Sequence, residues 1–149
     1  MTSILGISAG FHDAAAAVVD QHGDIVFAGH SERYSKRKND ANLCPELIEE
    51  LWGHNIGTIA YYERPWLKKL RQLRAGQYDQ ALDLSDITVS KYLAKHLPYQ
   101  FHHRPVFRHY GHHLSHAAAG FQTSPFNKAT VVVIDAIGEF DTLSIWGAE

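Results

Sequence analysis

The sequence predicts an α/β domain with a mixed sheet and flanking helices. Apolar, β-branched segments at 4–8, 14–20 and 25–29 begin the chain and predict three strands. Amphipathic segments then alternate with further apolar runs, an order typical of α/β domains. With 149 residues, 45% of them hydrophobic, the chain is long enough to form a real core.

Turn and helix-start residues support each element in order. Gly10 and Asp13 are typical of a turn between the first two strands, and residues 21–24 predict a hairpin loop before the third. The charged residues 32–40 predict a loop or a short helix. Pro45, followed by acidic residues and by apolar residues at helical spacing, begins an amphipathic helix. The later predicted elements are strands at 58–62, 105–109, 130–134 and 142–146, and helices at 45–54, 65–73 and 85–96, with one more that begins at His112.

Composition excludes several classes of function. The net charge is −2 with neutral histidines, which gives no basic surface for nucleic acid. The single cysteine, Cys44, has no internal partner for a disulfide, as is usual in the cytoplasm. No signal peptide is evident, and the apolar run at 131–134 is far too short to cross a bilayer. We expect a cytoplasmic protein that binds neither nucleic acid nor membranes.

A basic stretch at 64–74, which includes Trp66, has two interpretations. It is either a nucleic-acid surface or the solvated face of a helix. Acidic residues elsewhere balance its charge, so we expect the solvated face.

Two histidines four residues apart, His112 and His116, are the most informative feature of the sequence. On a helix, positions i and i+4 lie on one face, which makes two imidazoles a ready pair of metal ligands. Imidazole preference points to iron or zinc. His113 is one turn from His116 and is a rival ligand. The alternative is a histidine-rich surface, because seven of the eleven histidines lie between residues 96 and 116.

The motifs at 4–19, 32–38, 111–126 and 129–146 together resemble the N-terminal part of the NodU/CmcH-type O-carbamoyltransferases. This resemblance implies the first lobe of an actin/sugar-kinase/Hsp70-like (ASKHA) fold in its Kae1-like variant. It implies transfer of a carbamoyl group from carbamoyl-adenylate, made from carbamoyl phosphate and ATP, to a hydroxyl of a small molecule. Residues 1–149 would then be a partial domain that lacks the second lobe and a YrdC-like activation domain. We expect it to be inactive alone, either as a fragment of a longer chain or as a split-gene subunit whose partner chain supplies the missing lobe.

The resemblance also implies roles for individual residues. His112, rather than His113, and His116 would hold a divalent metal that acts as a Lewis acid, completed by a carboxylate from later in the chain. His12, with Asp13 beside it, would contact or deprotonate the acceptor hydroxyl. Lys38 would contact the acceptor. The simpler alternatives are an aspartate that caps a turn and a solvated charged loop.

Asp135 and Gly138 are predicted to contact a cofactor. An acidic residue at the end of an apolar strand, followed by a glycine turn, is where carboxylates reach a metal or phosphate crevice. The family has a glycine where this chain has Ala136. If that position requires a positive φ or close ligand approach, alanine is costly there.

Two other functions stay open. One is a non-catalytic metal-binding or assembly lobe, which Ala136 and the short length favour. The other is a protein similar to the tRNA threonylcarbamoyl transferases, which would require a basic surface. A neighbouring reading frame that encodes the missing parts would favour the enzyme.

Overall fold

A computed structural model describes residues 2–10, 12–82 and 105–149. The chain divides into two compact units. The described part of the first unit comprises residues 2–10, 12–61 and 105–108, and that of the second comprises 62–82 and 109–149.

The elements within these residues follow the predicted order. The strands are β1 Ser3–Ser8, β2 Ala15–Val19, β3 Ile25–His30, β4 Ile56–Tyr61, β5 Val106–His109, β6 Ala129–Gly138 and β7 Asp141–Ala148. The helices are α1 Ser31–Ser35, α2 Pro45–Leu51, α3 Pro65–Arg74, α4 Tyr78–Leu82 and α5 His112–Gln122. Helix α4 was not predicted, and the helix predicted at 85–96 lies outside the described residues.

The first unit is built on a mixed sheet of five strands in the order β3-β2-β1-β4-β5. Strand β1 is antiparallel to β2 and parallel to β4, and β2 is antiparallel to β3. The prediction of an α/β chain with a mixed sheet is therefore confirmed.

The core of the first unit lies between this sheet and α2. Leu5 and Ile59 of the sheet and Leu47 of α2 are fully buried. Burial of each such side chain stabilises the fold by about 1.5–3 kcal/mol. A Cβ on Gly29 would lie 2.4 Å from the Leu47 side chain, so the glycine lets α2 approach β3 closely.

The second unit contains the β6–β7 hairpin, which packs against α5. Its regular register is interrupted between Ile134 and Gly138. One face of the hairpin is apolar and open to solvent: the cross-strand pairs Val132–Ile145 and Ile134–Leu143 are 53–76% exposed. A two-stranded ribbon with such a face has little burial of its own.

Helix α3 contradicts the prediction of a solvated basic face. Lys68 and Lys69 are only 7% and 6% exposed, whereas Trp66 is 60% exposed. The Lys68 Nζ lies 3.6 Å from Oε2 of buried Glu63, which compensates its charge. Arg74 is exposed as expected. Helical periodicity gave no sign of this burial, because Glu63 precedes the helix.

No helix among the described residues combines the length and the apolar character that crossing a membrane would require.

Candidate metal centre

Helix α5 presents His112 and His116 on one face, as their spacing predicts. Gly111, with extended backbone, precedes the helix, and small alanines follow the two histidines. The Nε2 atoms of His112 and His116 lie 3.0 Å apart.

Strand β6 brings a carboxylate to the same point. Oδ2 of Asp135 lies 2.8 Å from Nε2 of His112. One ligand atom from each of His112, His116 and Asp135 lies within 4.8 Å of the other two. We call these three residues the α5 triad. It is the only group of three or more potential ligands found among the described residues.

The separations in the α5 triad fit a bound metal ion. Imidazole nitrogens and carboxylate oxygens bind first-row divalent ions at about 2.0–2.1 Å. Neighbouring ligands are then about 3.0 Å apart in an octahedral site and about 3.4 Å apart in a tetrahedral one. The separations of His112 from Asp135 and from His116, 2.8 and 3.0 Å, are close to these values. His116 and Asp135 are further apart, within 4.8 Å, and would have to approach each other or lie on opposite sides of the ion.

The hydrogen bonds of the α5 triad also fit a cation. One ring nitrogen cannot donate a hydrogen bond to Asp135 and accept one from His116 through the same atom. Nε2 of His112 nevertheless has both groups as neighbours. A cation at the point where the three atoms converge satisfies all three at once. Two imidazoles with one carboxylate are a common donor set for zinc and for non-haem iron.

The protonation states suit this role. Partial burial acts to raise the pKa of Asp135. The hydrogen bond from the amide of Ala136 and the hydrogen bond and charge of His112 act to lower it, and together they outweigh the effect of burial. The net result is a pKa of Asp135 below its ordinary range. Desolvation and the nearby charge of His112 lower the pKa of His116. The negative charge of Asp135 acts to raise it but has the smaller effect. Metal binding requires an ionised carboxylate and neutral imidazoles.

Gly138 lies against the imidazole rings. A Cβ at this position would lie 2.5 Å from Cδ2 of His112 and 2.7 Å from Cδ2 of His113. The ring of Tyr62 lies near His112 as well, with centroids 5.5 Å apart. Gly138 is thus a packing surface for His112, and its contact with a cofactor stays a prediction.

His113, the rival ligand in the sequence, is not in the α5 triad. Its Nδ1 lies 2.7 Å from Oγ of Ser144 on β7. The structure therefore places the two adjacent histidines in different hydrogen-bonding environments.

Ala136 does not carry the backbone cost that its sequence position suggested. Positive φ near this turn occurs at Glu139, where φ is 51°, and not at Ala136. Oε1 of Glu139 accepts a hydrogen bond of 2.8 Å from the amide of Arg64. The replacement of glycine by alanine is thus compatible with this turn.

In the first unit, His12 and Asp13 lie in the turn between β1 and β2. Nδ1 of His12 is 2.9 Å from Oδ2 of Asp13, and Nε2 of His30 is 3.9 Å from the other carboxylate oxygen. We call His12, Asp13 and His30 the turn cluster. Asp13 has a φ of 52°, in the left-handed region that aspartate tolerates better than most residues.

The loop that contains Lys38 is bonded to this turn. The amide of Ala14 donates to the carbonyl of Asp40, and the amide of Gly10 donates to that of Ala41. The side chain of Lys38 is exposed. The structure thus brings the loop of Lys38 beside the turn of His12 and Asp13, and the acceptor roles of these residues stay predictions.

A family model described as carbamoyltransferase N-terminus matches residues 60–149. The chain belongs to this carbamoyltransferase family. A curated relative, the uncharacterized protein sll1178 of Synechocystis sp. (strain ATCC 27184 / PCC 6803 / Kazusa), is 33% identical over 172 aligned residues. The alignment covers all of this chain and 28% of the relative, so the chain spans little more than a quarter of that protein's length.

The carbamoyltransferase match contains the α5 triad and Gly138 but neither His12, Asp13 nor Lys38. For the turn cluster and Lys38, the expectation therefore rests on the sequence resemblance and on the contacts described above.

Sequence reasoning missed two features of these sites. It assigned Asp135 to a cofactor and did not place it beside His112. It also missed His30, although pairing of the second and third strands places the end of β3 near the start of β2, where Ala15 pairs with His30. That pairing was the available signal.

Proposed function

We propose that this chain forms the first lobe of an O-carbamoyltransferase with an ASKHA, Kae1-like fold. In the whole protein, a carbamoyl group would pass from carbamoyl-adenylate to a hydroxyl of a small molecule. The convergence of His112, His116 and Asp135 is the observation that carries this proposal. Family membership supports a role in carbamoyl transfer.

The α5 triad would hold a divalent ion, iron or zinc. Such an ion supplies Lewis acidity, which polarises an oxygen of the bound carbamoyl donor. His112 and His116 contribute neutral nitrogens and Asp135 a negative charge, so the chain neutralises half of the charge of a divalent ion. The remaining charge is available to an anionic donor.

The turn cluster would act on the acceptor. If Nδ1–H of His12 donates to Asp13, the lone pair of the ring is on Nε2, the arrangement of a general base for a hydroxyl. Asp13 would hold the ring orientation and stabilise the imidazolium that forms. Lys38 would contact oxygen atoms of the acceptor.

Other parts of the reaction would need residues outside this chain. Activation of carbamoyl phosphate with ATP would occur in a YrdC-like domain, and a second lobe would complete the nucleotide cleft. Within this chain, Asp135 and Gly138 would contact the ATP-derived cofactor. A second chain, or a longer form of this one, would supply those parts, and these residues alone would not turn over substrate.

The metal content of the purified chain tests the proposal directly. With the tag removed, elemental analysis should find about one iron or zinc per chain, lost in His112→Ala/His116→Ala. His22→Ala is the matched control, since His22 is an exposed loop histidine outside the α5 triad. Wild-type protein without metal, or a double variant that retains it, would contradict the proposal.

The second candidate is a non-catalytic metal-binding lobe. Ala136 has no backbone cost, so it favours this candidate only through the space that its methyl group takes from a ligand approaching the turn. Such a lobe would use the same three ligands. Co-expression with a neighbouring reading frame that encodes the missing lobe and activation domain separates the two. Carbamoyl transfer by the complex, lost in the His112→Ala/His116→Ala variant, supports the enzyme.

A further inference from the structure

His113 is the one buried histidine of the residues that the structure describes, with 5% exposure. Its Nδ1 lies 2.7 Å from Oγ of Ser144, and Nε1 of Trp146 donates to the same oxygen at 2.7 Å. These three residues form a short hydrogen-bonded chain between α5 and β7.

The donors in this chain follow from the chemistry of the groups. The indole N–H of Trp146 can only donate, so Oγ of Ser144 accepts from it. The hydroxyl proton of Ser144 is then directed to Nδ1 of His113. This assignment puts the ring proton of His113 on Nε2, a buried atom with no hydrogen-bond partner in the described structure. An unpaired buried N–H opposes folding. The favourable contribution of His113 therefore comes from its other ring nitrogen, which is bonded to Ser144.

The Ser144–His113 bond connects the two elements that carry the α5 triad. His113 follows the ligand His112 directly on α5. Ser144 pairs in the hairpin with Val133, two residues before Asp135 on β6. A bond between His113 and Ser144 therefore fixes the start of α5 against the part of the hairpin that delivers the carboxylate.

Gly138 allows the hairpin to lie close to the two histidine rings at the start of α5. Its missing side chain leaves room for His112 and His113, whose Cδ2 atoms would both clash with a Cβ there. The hairpin thus contacts the ligand His112 and the non-ligand His113 at one position. Movement of His113 would shift the surface that supports His112.

We propose that His113 is a positioning residue for the metal centre. Through Ser144 it fixes α5 against β7 and so sets the separation of Asp135 from His112 and His116. This inference rests on the proposed metal site. It assigns a function to the histidine that is not a ligand.

Binding of Co²⁺ to the metal-stripped full chain tests this role, because the visible spectrum of Co²⁺ reports ligand geometry. Ser144→Ala should still bind one Co²⁺, with about tenfold weaker affinity and with shifted absorption bands. Ser144→Thr keeps the hydroxyl and should restore both. Ser124→Ala is the matched control. Ser124 follows the C-terminal end of α5, and its hydroxyl donates to the carbonyl of Phe121 within the helix.

His113→Asn and His113→Leu extend the test. Asparagine can keep an acceptor near Ser144 and should bind Co²⁺ more nearly like the wild type than leucine does. Far-UV circular dichroism checks the fold of each variant. If a His113 variant does not fold, the comparison of Ser144→Ala with Ser144→Thr decides.

Two results would overturn the proposal while leaving the metal site intact. One is a Ser144→Ala protein with wild-type affinity and spectrum. The other is complete loss of Co²⁺ in His113→Asn with no effect of Ser144→Ala, which would make His113 a ligand. Wild-type protein that binds no Co²⁺ would instead overturn the proposed metal function, and this inference with it.

Discussion

The turn cluster and the α5 triad contain the same residue types, two histidines and one aspartate, but differ in geometry and exposure. In the turn cluster the second histidine is 3.9 Å from the carboxylate, and the side chain of His12 is 61% exposed. In the α5 triad the two closest separations are 2.8 and 3.0 Å, and the side chain of His112 is 16% exposed. Two clusters of the same residue types thus differ in whether their polar atoms converge on one point, and the proposed roles follow from that difference.

Removal of the carboxylate from each cluster should give the largest difference in metal affinity between the two clusters. Asp135→Ala should weaken Zn²⁺ or Co²⁺ binding by more than about a hundredfold, because it removes a ligand and its negative charge. Asp13→Ala should leave the affinity unchanged. Competition titration against a chromophoric chelator measures both. Equal losses in the two variants would remove the distinction between the clusters.

A glycine-to-alanine change near each cluster should distinguish the cost of a steric clash from the cost of a positive φ. Gly138→Ala meets two imidazole carbons and should destabilise the protein by about 1–3 kcal/mol, with weaker metal binding. Gly10→Ala has no such clash, its nearest neighbour being 3.8 Å away, but its φ of 89° should cost about 1–2 kcal/mol. Urea unfolding measures both. A Gly138→Ala protein with unchanged stability and affinity would contradict the close packing.

The pH dependence of the metal-free protein should reveal the partial desolvation of His116 in the α5 triad. The pKa of His116 is lowered from 6.5 in the folded state, so the unfolded chain binds its proton more readily. Stability from this group is present above about pH 6.5 and is lost as the pH falls towards the lower folded pKa. Urea midpoints between pH 7 and 5 should fall less steeply in His116→Gln than in the wild type. Parallel curves would show that His116 is not desolvated.

The smallest effect is expected at His30. His30→Ala should leave metal content unchanged, because the turn cluster does not converge on one point. Elemental analysis beside His116→Ala checks this. Loss of metal in His30→Ala would contradict the assignment of the metal to the α5 triad alone.

Much of the secondary structure was predictable, because each element has a local signal. The strand pairs around Asp13, the proline at the start of α2 and the histidine spacing of α5 are all features of neighbouring residues. The placement of His112 and His116 on one helix face was predictable for the same reason, since i and i+4 positions share a face.

The remaining features depend on residues that are distant in sequence. Asp135 lies 23 positions after His112, and only the packing of α5 on β6 brings the two together. His113 and Ser144 are 31 positions apart, so no local sequence pattern could predict the hydrogen bond between them. Lys68 was assigned to solvent because helical periodicity does not report a carboxylate that precedes the helix.

The open apolar face of the β6–β7 hairpin has a consequence for work with the isolated chain. Val132, Ile134, Leu143 and Ile145 present aliphatic groups to water on a ribbon that has two strands in the described part of the chain. Such surfaces adhere to one another and to hydrophobic dyes. The apparent molecular mass of this chain in light scattering should therefore rise with concentration, and a charged residue in place of Ile134 should keep that mass constant.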